Sequence, residues 1–161
     1  NKGWGYAKGL LAHERTGLAG ISRSIVALEN LKKQAGSVKR GNGSLMDEPT
    51  FKLKIAELEA DLMAVEYTEL RSLASAASGN EPGPESSILK LKGTEIQQRL
   101  QRLTMEAGGI YSSAWGMSNV GPSFARSGMS GYLSSRAFTI YGGASEVQKD
   151  VVAKNVLGLK K

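Results

Sequence analysis

Cysteine is absent from the chain and histidine occurs once, at His13. The first absence excludes disulfides, thiolate nucleophiles and cysteine-ligated metals, and the second makes an ordinary zinc site untenable. Aromatic residues are few, and no apolar run approaches the ~20 residues that span a bilayer. A soluble, cytoplasmic protein without a membrane partner is expected. The net charge of +6 invites a nucleic-acid partner. However, Lys and Arg are scattered among Asp and Glu, and no set of stacking aromatics lies between them. No nucleic acid is expected; a mild positive excess suits a phosphate-bearing small molecule equally well. The chain lacks a secretory signal and begins mid-pattern at Asn1, as a piece of something longer would.

Proline is also sparse, at positions 49, 82, 84 and 122, and none interrupts a periodic segment. What is present is long helical periodicity. From about Gly3 to Ala35, residues Trp4, Ala7, Leu11, Leu18, Ile21, Ile25 and Leu28 recur at steps of three and four, an amphipathic seam. After a Gly- and Ser-rich loop, Asp47 and Pro49 read as the start of a second helix, about Pro49 to Ala77. It carries two apolar stripes, Phe51, Ile55, Leu58, Leu62, Val65 and Leu53, Ala56, Ala60, Met63, Tyr67, Leu70, and is expected to be buried on more than one side. A third helix, about Glu85 to Ile110, lines up Leu89, Gly93, Ile96, Leu100, Leu103, Ala107 and Ile110. A long irregular stretch follows, then short helices at about Ser130 to Tyr141 and Ser145 to Leu157, the last closed by Gly158. No segment alternates long enough to be a strand. With 161 residues there is room for one domain. The expected fold is all-α, an up-down four-helix bundle with short extra C-terminal helices.

Two features break the pattern. The series 4, 7, 11, 14, 18, 21, 25, 28 is apolar except at Glu14. A carboxylate on an inward seam is paired with a base from a neighbouring helix, sits at a wet rim, or is held with raised proton affinity for use as a base. The second feature is "YGGASEVQ", residues 141–148, where Ser145 and Gln148 have capping-box spacing. This is either a plain turn into a well-started helix or a place where Gly142 and Gly143 bare the main chain to an anion or developing oxyanion.

The stretch "SRAFTIYGGASEVQKDVVAKNVLGL" resembles the C-terminal signature of the acyl-CoA dehydrogenase family. "GWGYAKGLLAHERTGLAG", "DEPTFKLKIAELEADLMAVEYTELR" and "SSILKLKGTEIQQRL" agree with that family in order and spacing. The resemblance covers nearly the whole chain and makes residues 1–161 similar to the family's C-terminal helical-bundle domain, without its N-terminal helical and middle β domains. Some features look like a bacterial subgroup of pimeloyl-CoA-type and sterol-side-chain dehydrogenases, some of which pair an active subunit with a silent one.

That resemblance implies FAD-dependent α,β-dehydrogenation of an acyl-CoA thioester, with electron-transferring flavoprotein as the usual electron acceptor. In many members the base directly follows the tyrosine of the turn; here that position is Gly142. Other members, similar to isovaleryl- and long-chain-specific enzymes, carry it on the first helix before an arginine, which matches Glu14 and Arg15. Glu14 is therefore the expected base, with the Gly142 N–H polarising the thioester carbonyl. Arg15 and Tyr141 fall at substrate-binding positions, and Ala144, Ser145 and Glu146 at FAD-binding ones. Lys54 stands where relatives often place a glutamine that reaches FAD across subunits. The "KRGNGSLMDEPTF" segment lacks the family's Arg-x-x-Phe-Gly pattern. A homo-oligomer, dimer or tetramer, or a paired sister subunit is implied, and the piece alone is expected to be inactive.

Overall fold

The computed structural model describes residues 2–80, 83–115 and 120–159, with only the backbone of residues 8 and 11–16. Six α-helices make up most of it: α1 (Gly3–Ala19), α2 (Ile21–Ser37), α3 (Pro49–Ala77), α4 (Glu85–Gly108), α5 (Gly128–Ser135) and α6 (Ser145–Asn155). The fold is all-α as expected, apart from a two-residue hairpin of β1 (Lys39–Arg40) and β2 (Gly43–Ser44) that the sequence pattern did not reveal. Strands this short carry no alternation to read. Helix α4 is the axis of the bundle, packing against each of the other five helices.

The first apolar segment is two helices, not one. Gly20 takes φ +58°, which ends α1 and starts α2 at Ile21. The periodicity runs straight through the break, so the sequence alone showed a continuous seam. Gln97 of α4 stabilises the break, its Nε2 donating to the carbonyls of Leu18 at 3.0 Å and Ala19 at 2.8 Å. Those are carbonyls that a helix C-terminus leaves without internal partners. The inner half of the seam is buried at Ile21 and Leu28, while Trp4, near the outer end, is 73% exposed.

Along α3, Phe51, Ile55, Leu58, Leu62 and Val65 are all buried, each such side chain contributing about 1.5–3 kcal/mol. The second stripe is not: Leu53, Met63, Tyr67 and Leu70 are exposed. The contacts of α3 with α2 and α4 are made by its other face. On α4 the expected face is buried as far as Ala107, but Gly109, at φ +56°, ends the helix and leaves Ile110 83% exposed.

Pro49 is the first residue of α3, but the cap position is Glu48 rather than Asp47. The Asp47 carboxylate instead accepts from the N–H and Oγ of Ser44, both at 2.8 Å, closing a capping box around the turn Leu45–Asp47. The Ser44 backbone bond, then its hydroxyl bond, lowers the Asp47 pKa. A carboxyl depressed by folding contributes stability above its unfolded pKa and loses it as pH falls through the folded value. Asp47→Asn is therefore expected to melt below wild type at neutral pH, with the difference vanishing on acidification; thermal melts across pH check this.

Candidate active site at the glycine turn

The turn between Thr139 and Ser145 is held from three sides. Ahead of it, Gln98 of α4 donates Nε2 to the Ser135 carbonyl at 3.0 Å and to Thr139 Oγ1 at 3.4 Å. Phe138 and Tyr141 meet edge to face, with centroids 5.8 Å apart, and Tyr141 is exposed. Within the turn Gly142 has φ +64° and Gly143 φ +105°, a region that side-chain-bearing residues avoid. From below, Lys90 Nζ donates to the Gly143 carbonyl at 2.7 Å, and the whole lysine is 0% exposed.

The start of α6 differs from the capping box that the spacing suggested. The cap residue is Ala144, and Ser145 is already helical. The Ser145 hydroxyl turns back to the Thr139 carbonyl at 3.3 Å instead of capping the helix. Gln148 lies fully buried, and among the described residues its Oε1 and Nε2 find no partner. Because Ala144 cannot cap through its side chain, the first-turn amides of α6 keep their donors for other use. Among the described residues no hydrogen bond is made by the Gly142 or Gly143 N–H. Glu146 stands exposed on the first turn.

Helix α1 comes directly onto this turn. A Cβ built on Gly142 would lie 2.1 Å from Leu18 Cδ1. Positions 14 and 18 are one turn apart on α1, share a face and are separated by an axial rise of about 6 Å. The side chains of Glu14 and Arg15 lie outside the described residues; what the structure supplies is the course of the helix that carries them. It thus brings the α1 face of position 14 and the bare main chain at Gly142 to one end of the bundle. A shallow hollow of about 200 Å³ borders the α1–α2 break and another of about 140 Å³ lies between α2, α4 and Phe138; Gly142 lines neither.

Lys54 is elsewhere. Its Nζ pairs with Glu106 Oε1 of α4 at 2.6 Å. Glu106 lies sixteen residues beyond Lys90 on α4, roughly 24 Å by helical rise. Within one chain, Lys54 and the glycine turn do not meet.

Three contributors escaped the sequence reading: Leu18 as the cover on Gly142, Lys90 as the anchor of Gly143, and Gln97 as the clamp on α1. Periodicity marked none of them: position 90 lies about 60° outside the apolar arc of Leu89, Gly93 and Ile96 on α4, and Leu18 reads as an ordinary member of the α1 seam.

The family model described as acyl-CoA dehydrogenase, C-terminal domain, matches residues 1–157. The chain is 28% identical to acyl-CoA dehydrogenase FadE26 of Mycobacterium tuberculosis, over 99% of the chain and 40% of that protein. It is also 28% identical to acyl-CoA dehydrogenase IpdE1 of Mycolicibacterium smegmatis, over 98% of the chain and 37% of that protein. The chain thus spans about two fifths of the length of these curated relatives. Among solved structures it is similar to the ChsE4–ChsE5 complex from Mycobacterium tuberculosis, with TM-score 0.79 and 28% identity over 99% of this chain and 41% of that one. A Tcur3481–Tcur3483 steroid acyl-CoA dehydrogenase variant superposes with TM-score 0.80 at 25% identity, over 98% of this chain and 40% of that one.

Proposed function

Because this chain belongs to the acyl-CoA dehydrogenase family, matching the family's C-terminal domain, we propose that it supplies the proton-abstracting base and the carbonyl donor for α,β-dehydrogenation of an acyl-CoA thioester. It does so within a longer flavoprotein subunit. Members of the family are flavoproteins, and a bound FAD would supply the acceptor for the β hydrogen and its electron pair. Glu14 removes the α proton. The Gly142 N–H donates to the thioester carbonyl and stabilises the negative charge that develops there as the proton leaves.

The observation that supports this reading is the seating of Leu18 over Gly142, since position 14 lies one turn before Leu18 on the same face of α1. The start of α6 fits the pyrophosphate-bearing cofactor: Ala144, Ser145 and Glu146 present uncapped first-turn amides at the positive end of the helix dipole. Tyr141 and Arg15 flank the donor and the base in sequence and would border the acyl group. Lys54, remote from the turn within one chain, would act on FAD held by a neighbouring subunit, and electron-transferring flavoprotein would reoxidise the flavin.

In the full-length subunit, acyl-CoA is expected to bleach the flavin absorbance, and Glu14→Gln to slow bleaching strongly while FAD stays bound. Bleaching at the wild-type rate in that variant would remove Glu14 from the mechanism. Similarity to a steroid acyl-CoA dehydrogenase makes steroid-bearing thioesters worth testing beside straight-chain ones.

A second reading has its own support. Similarity to a two-component complex, together with the exposed stripe Leu53, Met63, Tyr67 and Leu70, fits an assembly role in a catalytically silent subunit. The full-length subunit would then bind its partner tightly and turn over nothing alone.

A further inference from the structure

Three positions on α4 meet the two halves of the site from one side. Residues 90, 93 and 97 are spaced by three, four and seven, and so share a face of the helix. Lys90 Nζ holds the Gly143 carbonyl at 2.7 Å. Gly93 admits the backbone of Ala19, whose carbonyl oxygen would lie 2.5 Å from any Cβ placed there. Gln97 Nε2 binds the carbonyls of Leu18 and Ala19. One helical face therefore grips the main chain of the donor turn and the main chain at the end of α1.

We propose that Lys90 and Gln97 are positioning residues that set the gap between the Gly142 N–H and the α1 face carrying Glu14. The proposal rests on the reading of Gly142 as donor and Glu14 as base, and it deepens it. Two consecutive glycines at positive φ have little conformational preference of their own, so their amides point one way only if something outside the turn holds them. The buried Lys90 is placed to do that from the core, where water cannot compete for the Gly143 carbonyl. Gln97 does the same for α1, holding its last carbonyls where the chain turns at Gly20. Neither side chain needs to touch substrate. Each fixes a backbone segment that does, or that carries a group that does, and a displacement of about 1 Å in such a group can cost on the order of 10²-fold in rate.

The test uses the full-length subunit with an acyl-CoA analogue that binds but cannot lose its α proton. The carbonyl stretch of the bound thioester is followed by infrared difference spectroscopy, and kcat and KM are measured with a reactive thioester. In wild type the bound carbonyl is expected below the frequency of the free ester. Lys90→Met keeps an unbranched side chain, one atom shorter, without its donor. It should return the stretch toward the free value and lower kcat on the order of 10²-fold, with KM nearly unchanged. Gln97→Leu should lower kcat while leaving the stretch as in wild type, because the donor turn is still anchored. If Lys90→Met does not fold, Lys90→Gln, which keeps a shorter donor, should fold and give an intermediate stretch. A wild-type stretch and kcat in the Lys90 variants overturns the proposal, and so does a wild-type kcat in Gln97→Leu. Parallel loss of kcat, KM and flavin in both would show mere structural damage and overturn it too. Absence of any carbonyl shift in wild type would instead defeat the donor role of Gly142, a separate failure.

Discussion

A carboxylate moved to the turn is expected not to replace the one on α1. In the full-length subunit, Glu14→Gln should slow flavin reduction by about 10²–10⁴-fold, the usual worth of a positioned general base. The double variant Glu14→Gln, Gly142→Glu should be no faster, although many relatives carry their base at the position after the turn's tyrosine. Gly142 sits at φ +64°, which costs a side-chain-bearing residue about 1–2 kcal/mol. Its Cβ would also lie 2.1 Å from Leu18 Cδ1, so the new side chain must expel Leu18 or distort the turn that aims the N–H. Adding Leu18→Ala clears the methyl and should recover part of the rate. Stopped-flow reduction of the bound flavin by acyl-CoA measures all three. A double variant as fast as wild type would mean that the contact between α1 and the turn does not govern where a base can stand.

Gly93→Val is expected to be the most damaging single change to the fold. The new Cβ would lie 2.5 Å from the Ala19 carbonyl oxygen and 2.6 Å from Ala19 Cα. These are backbone atoms, which cannot swing aside as the end of a side chain can. Helix α1 must move off α4, taking with it both Gln97 bonds. Overpacking of this kind costs typically 1–3 kcal/mol, and the lost bonds add about 1 kcal/mol each. For a domain of this size that corresponds to a fall in Tm of roughly 6–20 °C. Gly36→Ala is the control: it lies within α2 with nothing inside 4 Å of its added Cβ. It should hold or raise Tm slightly, by relieving the entropic cost of a helical glycine. Circular-dichroism melts of the full-length protein compare the two. Equal Tm for Gly93→Val and wild type would show that the close approach at Ala19 is not under compression.

The buried stripe of α3 could be read directly because 3.6-residue periodicity is a local property: Phe51, Ile55, Leu58, Leu62 and Val65 point one way whatever lies opposite. Which of two stripes is covered is not local. The stripe through Leu53, Met63, Tyr67 and Leu70 is also apolar, yet these four residues stay exposed among the described residues. Each misplaced boundary has its own cause. At Gly20, a left-handed residue and a clamp from Gln97, 77 residues downstream, break a seam whose spacing is unbroken. At Asp47, a hairpin places Ser44 within reach and diverts the carboxylate from capping α3. At Ser145, the hydroxyl turns back to Thr139, so that Ala144 holds the cap position.

The order of residues by itself determined the helical class, the apolar face of each long helix, the kinship with acyl-CoA dehydrogenases and the oddity of an acid at position 14. All of these follow from short-range spacing or from direct comparison of residues. Only the tertiary structure decided that Leu18 covers Gly142, that Lys90 anchors Gly143 and that Gln97 ends α1. Those contacts join residues about 50 to 125 positions apart along the chain, and such distances are closed only by the packing of α1 and α6 on α4.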